Sequence, residues 1–101
     1  MREESSPVSF RANVARLPAK GLPVVIGQGS ACTTILSAAE MHLHCALKNA
    51  QPGGEMTGFM RLGEQDIFSP IAVTRGKATP PMTAGNGIEV CKDKLQRLAR
   101  R

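Results

Sequence analysis

Apolar and polar residues alternate along Val8-Ser9-Phe10-Arg11-Ala12-Asn13-Val14, the period of a strand with one buried face. Leu17-Pro18-Ala19-Lys20-Gly21 interrupts the pattern, because proline donates nothing to a ladder, and Leu22-Pro23-Val24-Val25-Ile26 resumes it with β-branched residues. A turn follows at Gly27-Gln28-Gly29-Ser30, with Ser30 placed to cap a short helix over 31–39 on which Ile35, Leu36 and Ala39 share a face. From Glu40 the period shortens to two, with Met41, Leu43, Cys45 and Leu47 apolar. A helix continuing to Lys48 would instead bury Ile35, Ala39, Leu43 and Leu47 at four-residue steps. The turn-rich run from Asn49 to Gly54, with Met56 to Leu62 returning after it, favours a strand after Glu40 and hence a hairpin.

Further along, Ile67 to Thr74 has strand composition, with Pro70 restricting it to an edge or a bulge. Residues 75–87 lack any period, are dense in breakers, and read as a long loop or linker. Ile88, Cys91, Leu95 and Leu98 then recur at three and four residues, the stripe of an amphipathic helix. The expectation is a small α+β fold: a disordered terminus at 1–6, a sheet-dominated domain at 7–74 with a small antiparallel sheet and a short helix, a linker at 75–87, and a basic amphipathic helix at 88–101.

Composition narrows the class. In 101 residues, 42% are hydrophobic but only 3% aromatic, so the core is built from aliphatic and methionine side chains that each bury less area than an aromatic ring. Ten Gly and seven Pro punctuate the chain too often for a helical bundle. No apolar run approaches the roughly 18 residues that a membrane helix needs, and the first residues lack the apolar stretch of an export signal. Three cysteines, Cys32, Cys45 and Cys91, make an odd count that argues for free thiols, a reducing compartment and a cytoplasmic location.

The net charge of +5 favours a polyanionic partner. Lys92, Lys94, Arg97, Arg100 and Arg101, opposed only by Asp93, concentrate that charge on the polar face of the C-terminal helix and are the expected RNA-binding residues. A solvated face with cations near a helix C-terminus is the simpler reading of such a tail, and stacking aromatics are scarce. A competing class is a protein-binding adaptor in which Leu95 and Leu98 dock into a partner's groove.

Other candidate chemistry is thinner. His42 and His44 on one face of a strand would stand about 7 Å apart, within reach of one metal ion, with Cys45 facing away; on a helix, His42 and Cys45 would share a face instead. No Cys-x-x-Cys pair completes a tetrahedral set, so a solvated histidine face is the better account and no metal or cofactor is expected. Gly27-Gln28-Gly29-Ser30 lacks the third glycine of a dinucleotide turn and the Gly-Lys-Ser/Thr of a P-loop. No nucleophile elbow or other motif joins the cysteines, histidines and acids into a catalytic set, so the expectation is a protein that is not an enzyme.

Residues 7–26, above all Asn13-Val14-Ala15-Arg16-Leu17-Pro18-Ala19-Lys20-Gly21, resemble the N-terminal part of the YceD-type proteins, the large ribosomal RNA subunit accumulation family. A weaker echo continues through Thr57-Gly58 and Val73-Thr74. Where the family carries Gln-x-Cys-Val-Val-Thr-Leu-Glu-Pro, this chain has Ser69-Pro70-Ile71-Ala72-Val73-Thr74-Arg75, and a basic tail replaces the family's acidic C-terminal part. The resemblance implies a non-enzymatic ribosome-biogenesis accessory whose partner is ribosomal RNA or a ribosomal protein, with no catalytic residues to carry over.

Overall fold

The computed structural model describes residues 21–27 and 32–100. The strand expected at 8–14, the terminus at 1–6, most of the segment that carries the family resemblance, Ser30 and Arg101 lie outside these residues. The order of elements is helix α1 (Thr34–Ala46), a single-turn helix α2 (Gly58–Arg61), a 3-10 turn (Gly63–Gln65), strands β1 (Val73–Thr74) and β2 (Lys77–Ala78), and helix α3 (Lys92–Ala99). The fold is a small α+β one with a two-stranded antiparallel sheet and the expected C-terminal helix.

The strand expected after Glu40 is the main correction, because α1 runs without a break through Ala46. The two-residue alternation has a helical origin. Leu43 and Leu47, four residues apart, pack against Val24 and Ile26, while Met41 packs with Ala38 and Ile71 on another side. Two apolar faces offset by two residues reproduce the period of a strand. The residues buried on α1 are Thr34, Ser37, Ala38 and Met41, at i, i+3, i+4 and i+7. Ile35 and Leu36, expected on the buried face, are instead 43% and 42% exposed.

Small and hydroxylated residues occupy the buried stripe because two of them serve helix ends. Thr33, at the N-cap of α1, supplies no side-chain cap, and the helix starts three residues later than a Ser30 cap would place it. The cap comes from Asp66, whose Oδ2 accepts hydrogen bonds from the Thr34 backbone N–H at 2.8 Å and from Thr34 Oγ1 at 2.6 Å. This carboxylate is 3% exposed, and its other oxygen accepts the Phe68 N–H at 3.2 Å. An acceptor at a helix N-terminus satisfies an otherwise orphaned N–H and carries charge of the favourable sign.

The return strand expected over Met56–Leu62 is also absent: this segment contains α2 and enters the 3-10 turn. With residues 41–47 helical, it has no ladder partner and satisfies its backbone locally. Met60 N–H donates to Thr57 O and Leu62 N–H to Gly58 O. Thr57 points its hydroxyl back to Glu55 O, and the Phe59 N–H of α2 donates instead to Ser37 Oγ at 3.3 Å. A side chain in the middle of α1 thus caps α2.

The segment around Val24 is extended but forms only an isolated parallel bridge with Ala50. Val24 N–H donates to Asn49 O, Gln51 N–H to Val24 O, and Glu55 N–H to Ile26 O. Its alternation is visible, with Val24 and Ile26 buried and Val25 63% exposed. Only Val73–Thr74 of the strand expected over 67–74 enters the sheet, pairing Val73 with Ala78 and Thr74 with Lys77. Arg75 and Gly76 close this hairpin with φ of 52° and 73°, the left-handed pair of a type I′ turn. The stretch 75–87, expected as a loop or linker, therefore opens with this turn and the second strand.

Phe68 bridges Val90 antiparallel, with Ser69 N–H donating to Glu89 O and Cys91 N–H to Ile67 O. This clasp fixes the entry to α3, and because it holds the backbone around Val90 extended, the helix expected from residue 88 starts only at Lys92. Before it, the chain reverses at Gly87, which has φ of 70° and leaves no room for a Cβ: an added carbon would stand 2.5 Å from Pro81 Cβ and 2.9 Å from Pro81 C.

Two stability measurements check this account. Asp66→Ala leaves two buried donors on Thr34 without an acceptor and should cost about 3 kcal/mol in urea unfolding followed at 222 nm, whereas Asp66→Asn, which keeps an acceptor but not the charge, should cost about 1 kcal/mol. Gly87→Ala should cost about 2 kcal/mol or more; Gly85→Ala, with φ of 69° but open space around it, should cost about 1 kcal/mol, and the difference isolates the Pro81 contact.

Candidate functional site

Of the expected RNA-binding residues, Lys92, Lys94 and Arg97 lie on α3 and Arg100 follows at its C-terminal cap, while Arg101 lies outside the described residues. Cys91, Lys94 and Leu98, which recur at three and four residues, are half-buried; Lys92, Gln96, Arg97 and Arg100 are exposed. α3 lies beside the 3-10 turn, and Lys94 reaches across it to Glu64 at 3.8 Å. The Glu64 side chain is 88% exposed, so this pair is well solvated and worth a few tenths of a kcal/mol at most, roughly the value of an exposed ion pair. Among the described residues, Lys92, Arg97 and Arg100 have no ion-pair partner. Leu95, the anchor of the adaptor reading, is 44% exposed, whereas Leu98 is half-buried.

A second feature was not anticipated from the sequence. The groin between α1, the loop at Gly53–Thr57, α2 and the β1–β2 hairpin forms an open groove of about 390 Å³. Met41, His44 and Cys45 line it from α1, and Met56, Phe59 and Met60 from the chain opposite. Lys77 and Pro80 contribute from the hairpin side. Met41, His44 and Cys45 stand at i, i+3 and i+4, the spacing that brings helical side chains together. Met56 and Phe59 pack against the cluster that contains Met41.

His42 and His44 do not act as the pair that a strand would have made. On α1 they point apart, and only His44 lines the groove. The alternative of His42 with Cys45 on a common helical face is not what the groove assembles either; its pair is His44 with Cys45. Two ring nitrogens, His42 Nε2 and His44 Nδ1, are shielded from solvent and accept or donate no hydrogen bond among the described residues. No three of His, Cys, Asp and Glu come together among these residues. Cys32, Cys45 and Cys91 are free thiols, with Cys45 exposed and the other two half-buried. No helix among the described residues is long and apolar enough to cross a membrane.

The groove's lining comes from separate stretches of chain, so no linear motif announces it. The i, i+3, i+4 arrangement of Met41, His44 and Cys45 was the one local signal, and it is read only once the segment is known to be helical. Comparisons with protein-family models, with curated proteins and with solved structures found no match to this chain.

Proposed function

We propose that this chain is a non-enzymatic accessory protein of ribosome biogenesis that contacts RNA through the outward face of α3, with large-subunit ribosomal RNA as the target that the family resemblance implies. One observation carries the reading: Lys92, Arg97 and Arg100 are exposed together and unpaired among the described residues, while the opposite side of the helix rests on the body of the protein. Cations held this way keep their charge available for phosphates and release counterions when they meet them. The clasp between 67–69 and 89–91 presents them on a fixed support. The chain's net charge of +5 adds a long-range attraction for any polyanion.

The test is binding of a fluorescently labelled large-subunit ribosomal RNA fragment, followed by anisotropy as salt is raised. Three phosphate contacts predict a loss of affinity of about 20- to 40-fold between 50 and 200 mM salt, and Arg97→Ala with Arg100→Ala should leave only about a third of that logarithmic slope. Leu95→Asp should leave RNA binding intact. Affinity indifferent to salt and to the arginines removes the RNA reading; loss of a captured ribosomal protein with Leu95→Asp, but not with the arginine changes, points to the adaptor class instead.

A further inference from the structure

We propose that the groove between α1, α2 and the hairpin is a binding site for a soft monovalent metal ion of the Cu(I) class, held by the Met41 and Met56 thioethers, the His44 imidazole and the Cys45 thiolate. Three of the chain's five methionines, Met41, Met56 and Met60, line this one groove. Thioether and thiolate donors select Cu(I), whereas Zn(II) takes thiolate, imidazole and carboxylate. The groove offers a single thiolate and a single imidazole, too few for a closed zinc site, and the remaining donors are thioethers.

The donors line one groove. Met41, His44 and Cys45 occupy i, i+3 and i+4 of an uninterrupted helix, where neighbouring Cβ atoms stand about 5–6 Å apart. Met56 packs on the cluster that contains Met41, and both methionines line the groove. His44 Nδ1 is shielded from solvent and has no hydrogen-bond partner among the described residues, so no bond at that nitrogen holds the ring against turning toward the groove it lines. Cys45 is an exposed free thiol, open to an arriving ion, and Met60, 61% exposed, stands at the rim. Thioethers carry no proton at ordinary pH and so ligate without losing one.

The experiment titrates the full, reduced chain with Cu(I) buffered by bicinchoninate under nitrogen. One equivalent per chain is expected to leave the chelator. Met41→Leu with Met56→Leu keeps the volume and apolar character of the core, and should weaken uptake by at least about tenfold with the helical signal at 222 nm unchanged. Thiols alone also capture Cu(I), so a second readout on the unaltered chain decides between the two. On addition of Ag(I), the redox-inert probe of the same class, the ε-methyl resonances of Met41 and Met56 should move and those of Met1 and Met82 should not. Failure to withdraw Cu(I), uptake that the leucine substitutions leave unchanged, or stationary Met41 and Met56 methyls overturns the proposal.

Discussion

Asp66 uses its two carboxylate oxygens on different parts of the molecule. Oδ2 accepts from the backbone and hydroxyl of Thr34 at the start of α1, and Oδ1 accepts from Phe68 N–H in the segment that clasps Glu89 and Cys91 ahead of α3. A buried carboxylate without donors would be strongly unfavourable, so the three hydrogen bonds stand or fall with its burial. One side chain therefore sets where the long helix begins and how the segment supporting the basic helix is held. Residues 32 positions apart are joined by it, in a chain with few aromatic side chains to fill a core.

The same economy governs α2. A four-residue helix gains little from its own backbone, since most of its N–H groups have no intrahelical partner. Ser37 supplies one acceptor from the middle of α1, and the buried stripe of α1 is accordingly Thr34, Ser37, Ala38 and Met41 rather than a row of leucines. Small side chains let the neighbouring segments approach, and the hydroxyls serve the helix ends. Ile35 and Leu36 are displaced to positions more than 40% exposed as a result.

What was legible in the sequence follows from this. The C-terminal helix is legible because Ile88, Cys91, Leu95 and Leu98 recur at three and four residues, but it spans only Lys92–Ala99: the bridge of Phe68 to Val90 and the Cys91 N–H bond to Ile67 O hold the preceding residues extended. The α+β class was legible from breakers and short apolar runs. The hairpin expected between Met41 and Leu62 was not, because a helix packed on two sides carries apolar residues on two faces, and Met41, Leu43, Cys45 and Leu47 then alternate as they would in a strand. The tertiary caps were invisible for a different reason. Asp66 sits in a run of turn residues, Gly63-Glu64-Gln65-Asp66, where an acid is unremarkable until Thr34 is known to lie against it. On the basic helix, the sequence placed Lys94 with the other cations, but its position on the inner side of α3 turns it toward Glu64.

The two candidate sites make different demands on this scaffold. The cations of α3 need only be displayed, since phosphate contacts tolerate the slack of long side chains, and an eight-residue helix clasped at its entry suffices. The groove requires relative placement of α1 against the Met56–Met60 segment, which rests on the Ser37 cap and on the packing of Met56 and Phe59 over Met41. A metal-type set of donors tolerates errors of only a few tenths of an ångström, so methionine serves well there: its three rotatable bonds let the sulfur find an ion while the rest of the side chain stays in the core. The hydroxyls buried on α1 serve helix ends, while Met41 both belongs to the core cluster with Ala38 and Ile71 and lines the groove, so packing and donor placement meet in that one side chain.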